Sequence, residues 1–566
     1  MNGPLAFSRR TFLKAGAAGA AAASLGGASV ELSGRAAAPL TTRIETSHGP
    51  VQGAQTDDGL VWYSIPYGAA PVGEARWCAP ASPAAWTEAR DCTAPGPAAA
   101  QYTSAFFGVE DCLHLDVYSA PDAVRRPVIV YLHGGGNQTG SARELPGFDL
   151  VRRCGCVYVS VDYRLGLLGF NCLPAVCAGG TGNFGLLDIC KALAWVQENI
   201  AAFGGDAGCV TLMGFSGGAR DILPLLTGSM AEGLFHRAVV ISGGLSSAEP
   251  AASVRQTAAA LAPLAVADGR CADEATARAW LAQDDTSVRD WLCGVDASRL
   301  AACMANSGLR MSAFPHLFAD GVTVPENGFS SASFRPVPLM LISSRTEFGA
   351  FALWDKWFDT DEAKALSDAE RAAAKSFAVT YGSALYGRYN SEATARTVGQ
   401  AAPLYLCKVA CGAADSRAPI AVLGSFHGVS LPLLSTESQF KQCADFTSAG
   451  YTALAERFNA HLAAFLRTGD PNADGLPHWD AWTEASPLSL VLDADASGYS
   501  ATLSDISQSE DDIFAQMDAD TTLSASTKQA VIQNVLGGRF FSAGLDEHYA
   551  LPSLWVEGRR SDSPNV

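Results

Sequence analysis

The chain predicts an α/β protein whose mostly parallel central sheet is covered by helices on both faces. Two observations carry that reading. Short apolar runs recur at strand length: Pro127–Leu132, Val157–Val161, Val210–Met213, and stretches at 238–242, 338–343, 404–409 and 489–492. Helical segments stand between them. Leu186, Leu187, Ile189, Ala192, Leu193, Val196 and Ile200 fall at helical spacing, and Ala-rich stretches at 253–266, 361–378 and 451–467 read as helices. Strand alternating with helix gives parallel strands joined by crossovers.

Before the first long strand, residues 43–68 alternate through Gly49-Pro50 and Asp58-Gly59 and predict β-hairpins. The run ending at Leu132 is followed by glycines. The helix over 186–200 is stopped by Gly204-Gly205-Asp206, after which a strand starts at Val210. No internal repeat or long linker divides the chain. The tail after about 500 is acidic, then helical. The domain reading is therefore a leader over 1–38, one large domain over 40–500 and a C-terminal extension over 501–566 packed on it.

Net charge is -18 over 566 residues, with 48% hydrophobic and 17% charged residues. That composition is globular. An acidic surface repels nucleic-acid phosphate and anionic lipid, so neither is expected as a partner. At the N-terminus, Ser8-Arg9-Arg10-Thr11-Phe12-Leu13-Lys14 precedes a mild Ala/Gly-rich run to Val30. This resembles a twin-arginine export signal, with Ala-x-Ala-like cleavage sites near Ala36–Ala38. It implies a periplasmic, envelope or extracellular location without a stable membrane anchor. The 15 cysteines show no zinc spacing, so no structural metal is expected. Export permits disulfides, and Cys92 with Cys112 would close a short loop.

Gly214-Phe215-Ser216-Gly217-Gly218 directly follows a predicted strand and precedes an apolar, helix-like run. A sharp strand-to-helix turn of this kind leaves no room for side chains two residues either side of the serine, and it exposes the hydroxyl. In a chain with 55 glycines the pattern alone also arises by chance. His133-Gly134-Gly135-Gly136 alters the odds: it ends an earlier strand, and consecutive glycines let backbone N–H groups approach a developing oxyanion. Ser216 is thus the candidate nucleophile, with N–H donors at Gly135, Gly136 and Gly217.

With these motifs the sequence resembles the type-B carboxylesterase family, which includes the cholinesterases. Glu110-Asp-Cys-Leu-His-Leu-Asp-Val-Tyr118, Asp162-Tyr-Arg-Leu-Gly166, Gly182-Asn-Phe-Gly-Leu-Leu-Asp188, Gly233-Leu-Phe-His-Arg-Ala238 and Thr468-Gly-Asp-Pro-Asn472 follow that family's order across roughly 43–495. The resemblance implies an α/β-hydrolase fold and a serine hydrolase that cleaves carboxylic esters through an acyl-enzyme, with no cofactor and a small-molecule ester as substrate. It implies Glu347, in Arg345-Thr-Glu-Phe348, as the triad acid, which its place at a strand end favours over nearby Asp355, and His427, in Ser425-Phe-His-Gly428, as the base. The order Ser, acid, His is that of the fold. It also implies Ser242 as a support for the acid, and structural ion pairs Arg76–Glu110 and Arg164–Asp188. Of the other histidines, His133 belongs to the glycine loop, His114 alternates in a strand and His236 reads as structural.

Departures from the family pattern narrow the substrate. Phe215 stands where cholinesterases carry Glu, and Tyr102, Phe106 and Phe107 occupy a region where they carry Trp. A choline cation would lose both partners. Asn137 replaces the aromatic residue that usually follows the glycines and is expected to change pocket polarity. Amides, lactones and carbamates share the acyl chemistry and stay open, as does a non-catalytic binding role. Phe215, Phe348 and Trp354 are expected near the site and argue against acyl sugars.

Overall fold

The apolar runs form the middle of one 11-stranded sheet. The computed structural model describes residues 39–177, 179–330, 333–412, 424–441 and 446–551; the leader expected over 1–38 lies outside them. Strands β1 (Arg43–Thr46) and β2 (Gly49–Gln52) make the first hairpin, β3 (Ala54–Thr56) and β4 (Gly59–Pro66) the second. Then come β5 (His114–Ser119), β6 (Arg126–Leu132), β7 (Val157–Val161), β8 (Gly205–Phe215), β9 (Arg237–Ile241), β10 (Leu339–Ser344), β11 (Leu404–Val409), β12 (Leu488–Ala494) and β13 (Tyr499–Asp505). The sheet order is β13-β12-β11-β10-β9-β8-β6-β7-β5-β4-β3. All neighbours from β12 to β7 run parallel; the outer pairs are antiparallel.

Alternate residues of one strand feed two cores. Val128, Val130 and Leu132 of β6 pack in one apolar cluster, Ile129 and Tyr131 in the other. Helix α1 (Phe184–Asn199) buries Leu186, Ile189, Leu193 and Val196 in the first. Helix α2 (Ala449–Thr468) buries Leu454, Phe458, Leu462 and Phe465 in the second. Burial on both faces is why these strands read as unbroken apolar runs. Among the described residues no helix is long and apolar enough to cross a membrane.

Three expectations change. The helix expected over 361–378 is a short turn, Asp361–Lys364, followed by a 21-residue helix, Asp368–Arg388. Ser367 and Glu370 close a capping box that starts the longer helix there. The boundary expected at 500 falls inside β13, an edge strand whose Tyr499, Ala501 and Leu503 pack on the second core while intervening polar residues face out. Farther on, Ile513, Phe514, Met517 and Val535 join the first core, so the described part of the tail shares the main domain's interior. Finally, the 14 described cysteines are all free thiols, the expected pair Cys92 and Cys112 included. Each of those two packs as a small apolar side chain, and burial pushes the Cys92 thiol up to about 12.

Both expected ion pairs are present. Arg76 Nε and Nη2 each donate to Glu110 at 2.6 Å. Arg164 and Asp188 are fully enclosed and paired through two bonds of 2.8 and 2.7 Å. Removing one member would strand the other's charge in the interior. Asp188→Asn is expected to destabilise the protein by about 3–5 kcal/mol, read from the urea midpoint.

Candidate active site

The last residue of β8 is Phe215, and a helix, Ser216–Leu225, begins at the next position. Ser216 sits at the joint with φ of +52°, in the left-handed region that non-glycine residues seldom occupy. The turn brings backbone against backbone. A Cβ on Gly214 would lie 2.7 Å from the Gly218 carbonyl, and one on Gly218 would lie 2.5 Å from the carbonyl oxygens of Leu132 and His133. Glycine at both positions lets β8 and its helix close on β6. The serine hydroxyl is left at the cleft.

Two loops at the ends of neighbouring strands supply its partners. Glu347 follows β10, and His427 follows β11 after a longer excursion. The loops are joined by hydrogen bonds from the Arg345 N–H to the Val409 carbonyl, 3.0 Å, and from the Thr346 N–H to the Ser425 carbonyl, 2.9 Å. His427 Nε2 lies 2.9 Å from Ser216 Oγ, and His427 Nδ1 lies 2.6 Å from Glu347 Oε2. The other Glu347 oxygen accepts from Ser242 Oγ at 2.7 Å and from the Ser344 N–H at 2.6 Å. Burial alone would raise this carboxyl. The adjacent imidazole and these hydrogen bonds outweigh it and hold Glu347 below the usual range, so it is ionised. An ionised acceptor at Nδ1 requires the proton there, which leaves Nε2 to accept from the serine hydroxyl.

The imidazole is boxed by rings. Tyr386 stacks on it at 5.5 Å between centroids, Phe215 lies at 4.8 Å and Phe351 at 5.3 Å. Tyr386 and Phe351 escaped the sequence reading, because nothing near them in the chain marks a site. Asp355, the weaker candidate for the acid, is instead paired with Arg310 and Arg539.

The glycine loop lies over the start of the serine helix. A Cβ on Gly217 would fall 2.8 Å from the Gly136 nitrogen and 2.9 Å from the Asn137 nitrogen. The N–H groups of Gly135 and Gly136 make no hydrogen bond among the described residues, and Gly217 is in the first helical turn, where N–H groups lack intrahelical acceptors. Asn137 does not alter the pocket as expected. It is fully buried with φ of +60°, donates from Nδ2 to Asp221 at 2.7 Å and accepts from the Tyr163 hydroxyl at 3.2 Å. Its amide ties the loop to the serine helix.

Ser216, His427, Gly135 and Gly136 open on a cleft of about 820 Å³, shared by Phe107, Phe215, Leu309, Phe351, Phe440 and Phe540. Glu144 also reaches it. Its carboxylate accepts from the Tyr131 hydroxyl, 2.6 Å, the Gly134 N–H, 2.8 Å, and Gln439 Nε2, 2.6 Å, while burial raises it to about 7. Two aromatics expected near the site stand elsewhere: Phe348 is enclosed in the core, and Trp354 is 66% exposed. No Trp is among the described residues that line the cleft.

A family model described as the carboxylesterase family matches residues 40–384. Carboxylesterase 4A of Bos taurus is 40% identical over 222 residues, covering 35% of this chain and 40% of that protein. The para-nitrobenzyl esterase of Bacillus subtilis (strain 168) is 31% identical over 316 residues, covering 54% of this chain and 62% of that protein. The matched stretches thus span less than two thirds of these relatives. Among solved structures, a carboxylesterase of Geobacillus stearothermophilus superposes with a TM-score of 0.64 at 26% identity, over 82% of this chain and 98% of its own.

A serine held against a free imidazole nitrogen is an activated nucleophile. A fluorophosphonate probe is expected to give one adduct, on Ser216, by peptide mass spectrometry. In Gly217→Ala the new methyl pushes the glycine loop away, and labelling is expected to slow by at least about tenfold.

Proposed function

The chain belongs to the carboxylesterase family, and from that premise we propose that it hydrolyses carboxylic esters through an acyl-enzyme on Ser216. The observation that carries this reading is the unbroken relay from Ser216 Oγ through His427 to Glu347, at 2.9 and 2.6 Å.

His427 Nε2 takes the hydroxyl proton as Oγ attacks the ester carbonyl carbon. The imidazolium that forms is stabilised by Glu347, which also fixes the tautomer. The carbonyl oxygen becomes an oxyanion under the N–H groups of Gly135, Gly136 and Gly217. Each such donor contributes about 3–4 kcal/mol to lowering the barrier. Collapse breaks the bond to the alcohol oxygen, which leaves with the proton from Nε2. Water then repeats the attack: His427 removes its proton, the acid departs, and Oγ recovers its proton. Phe215 puts no carboxylate beside the serine, Glu144 is already engaged by Tyr131, Gly134 and Gln439, and no Trp is among the described residues of the lining, so choline esters are poor substrates in this reading. The same chemistry would serve amides, lactones and carbamates, which the assay separates from esters.

Export by the twin-arginine route belongs to the same proposal, supported by Arg9-Arg10 and the apolar run behind them. Replacing both arginines by lysine is expected to leave an unprocessed precursor inside the cell, seen by fractionation and immunoblot; normal export of that variant would remove the twin-arginine reading.

Turnover of 4-nitrophenyl esters of graded chain length, with the matching anilides alongside, tests the activity. Esters are expected to be cleaved and anilides far more slowly. Ser216→Ala should lose at least about 10⁴-fold in kcat while keeping its melting temperature. A parental rate in that variant would refute the assignment of the nucleophile.

A further inference from the structure

One wall of the cleft is assembled from segments that no motif marks. Arg310 lines it beside Asn306, Gly308 and Phe540. Its Nη2 donates to Asp355 Oδ2 and to the Asn534 carbonyl, both at 2.7 Å. Its Nε and Nη1 have no acceptor among the described residues, and the side chain keeps 26% of its surface exposed. Behind it, Arg539 donates to the same Asp355 oxygen at 2.5 Å and to the carbonyls of Gly308 and Val535. The second Asp355 oxygen accepts the Trp357 N–H at 2.9 Å. One carboxylate therefore holds two guanidiniums, and one positive charge at this wall is uncompensated.

Arg220, one turn beyond Ser216, lies just behind the same wall. It is 1% exposed, with Nη1 2.7 Å from His316 Nε2, Nη2 2.6 Å from Ser246 Oγ and its guanidinium 3.9 Å from the centre of the Phe540 ring. Its neighbour in sequence, Asp221, is engaged by Asn137. His316 offers the cleft no charge of its own, since Arg220 occupies Nε2 and Nδ1 faces the Phe314 carbonyl at 2.8 Å. On the far side, Arg143 donates to the Gly96 carbonyl at 2.7 Å. The one carboxylate among the described residues that line the cleft is Glu144, and Tyr131, Gly134 and Gln439 already use its oxygens.

A chain with a net charge of -18 thus places a partly free guanidinium in the wall of its cleft. If Arg310 served only to staple the C-terminal segment to the 306–310 loop, Nη2 alone would suffice; yet the residue also lines the cleft, and its Nε and Nη1 have no acceptor among the described residues. Guanidinium N–H groups match a carboxylate in geometry and charge, and they are worth more in a cleft partly shielded from water than on an open surface. We propose that the ester cleaved here carries a carboxylate, which Arg310 binds in the cleft that holds Ser216. This rests on the ester-hydrolase reading and names its substrate class.

The test compares 4-nitrophenyl hydrogen adipate, which has a free carboxylate, with neutral 4-nitrophenyl hexanoate, as the ratio of their kcat/KM values. Arg310→Gln is expected to lower that ratio by about 10- to 100-fold, and Arg310→Lys to retain most of it. In the parent protein, added salt should lower the ratio as well. Because each ratio is taken within one variant, a loss of folded protein cancels. A ratio that Arg310→Gln leaves within twofold overturns the proposal while ester hydrolysis stands. If neither ester is cleaved, the hydrolase reading fails, and calorimetric titration with adipate still decides the subsite: binding weakened in Arg310→Gln supports it, and equal or absent binding in the parent and the variant overturns it.

Discussion

The site depends on one contact of backbone with backbone. Where β8 turns into the serine helix, Gly218 meets the carbonyl oxygens at the end of β6, and Gly217 meets the nitrogens of the glycine loop that continues from that strand. The Ser216 hydroxyl and the N–H groups of the glycine loop are therefore positioned by the same packing. Any side chain at these glycines would push the two apart. The left-handed Ser216 is the strained residue that this closeness imposes, and the parallel pairing of β8 with β6 holds it there. Strain of this kind persists only where the surrounding structure over-determines it.

The remaining parts are arranged around that contact. Neighbouring strand ends deliver Glu347 and His427, and hydrogen bonds between their loops hold the two together as one unit. Ser242, at the end of β9, reaches the carboxylate from the side of the serine helix. The four consecutive strand ends β8, β9, β10 and β11 thereby feed one hydrogen-bond chain. Asn137 plays the matching part on the oxyanion side. Its φ of +60° is one that asparagine tolerates better than the bulky aromatic usual in the family, and its amide fastens the loop to Asp221. The family's aromatic position has here become a buried tie.

The C-terminal segment is part of this arrangement. Phe541 stacks on Tyr386 at 4.6 Å, and Tyr386 stacks on His427. Phe540 lines the cleft, and Arg539 shares Asp355 with Arg310. Residues 534–541 therefore form a wall of the cleft and the backing of His427. The acidic composition of the tail gave no hint of this, because the contacts are made by a few aromatic and basic side chains after two polar helices.

The sequence alone determined the sheet's parallel middle, since burial on both faces writes itself as unbroken apolar runs. It also determined the elbow and the glycine loop, because backbone crowding permits only glycine there and so leaves a local mark. Glu347, His427 and Ser242 were legible through family motifs rather than through any local rule, for an acid or an imidazole in a loop has no distinctive spacing. Only the tertiary structure decided what surrounds them. The ring box of Tyr386 and Phe351, the inward turn of Asn137, the exposure of Trp354, the unpaired Cys92 and Cys112, and the Arg310–Asp355–Arg539 wall all arise from segments far apart in the chain. Such contacts are set by how loops close over the sheet, and a side chain's direction in a loop follows from what it packs against.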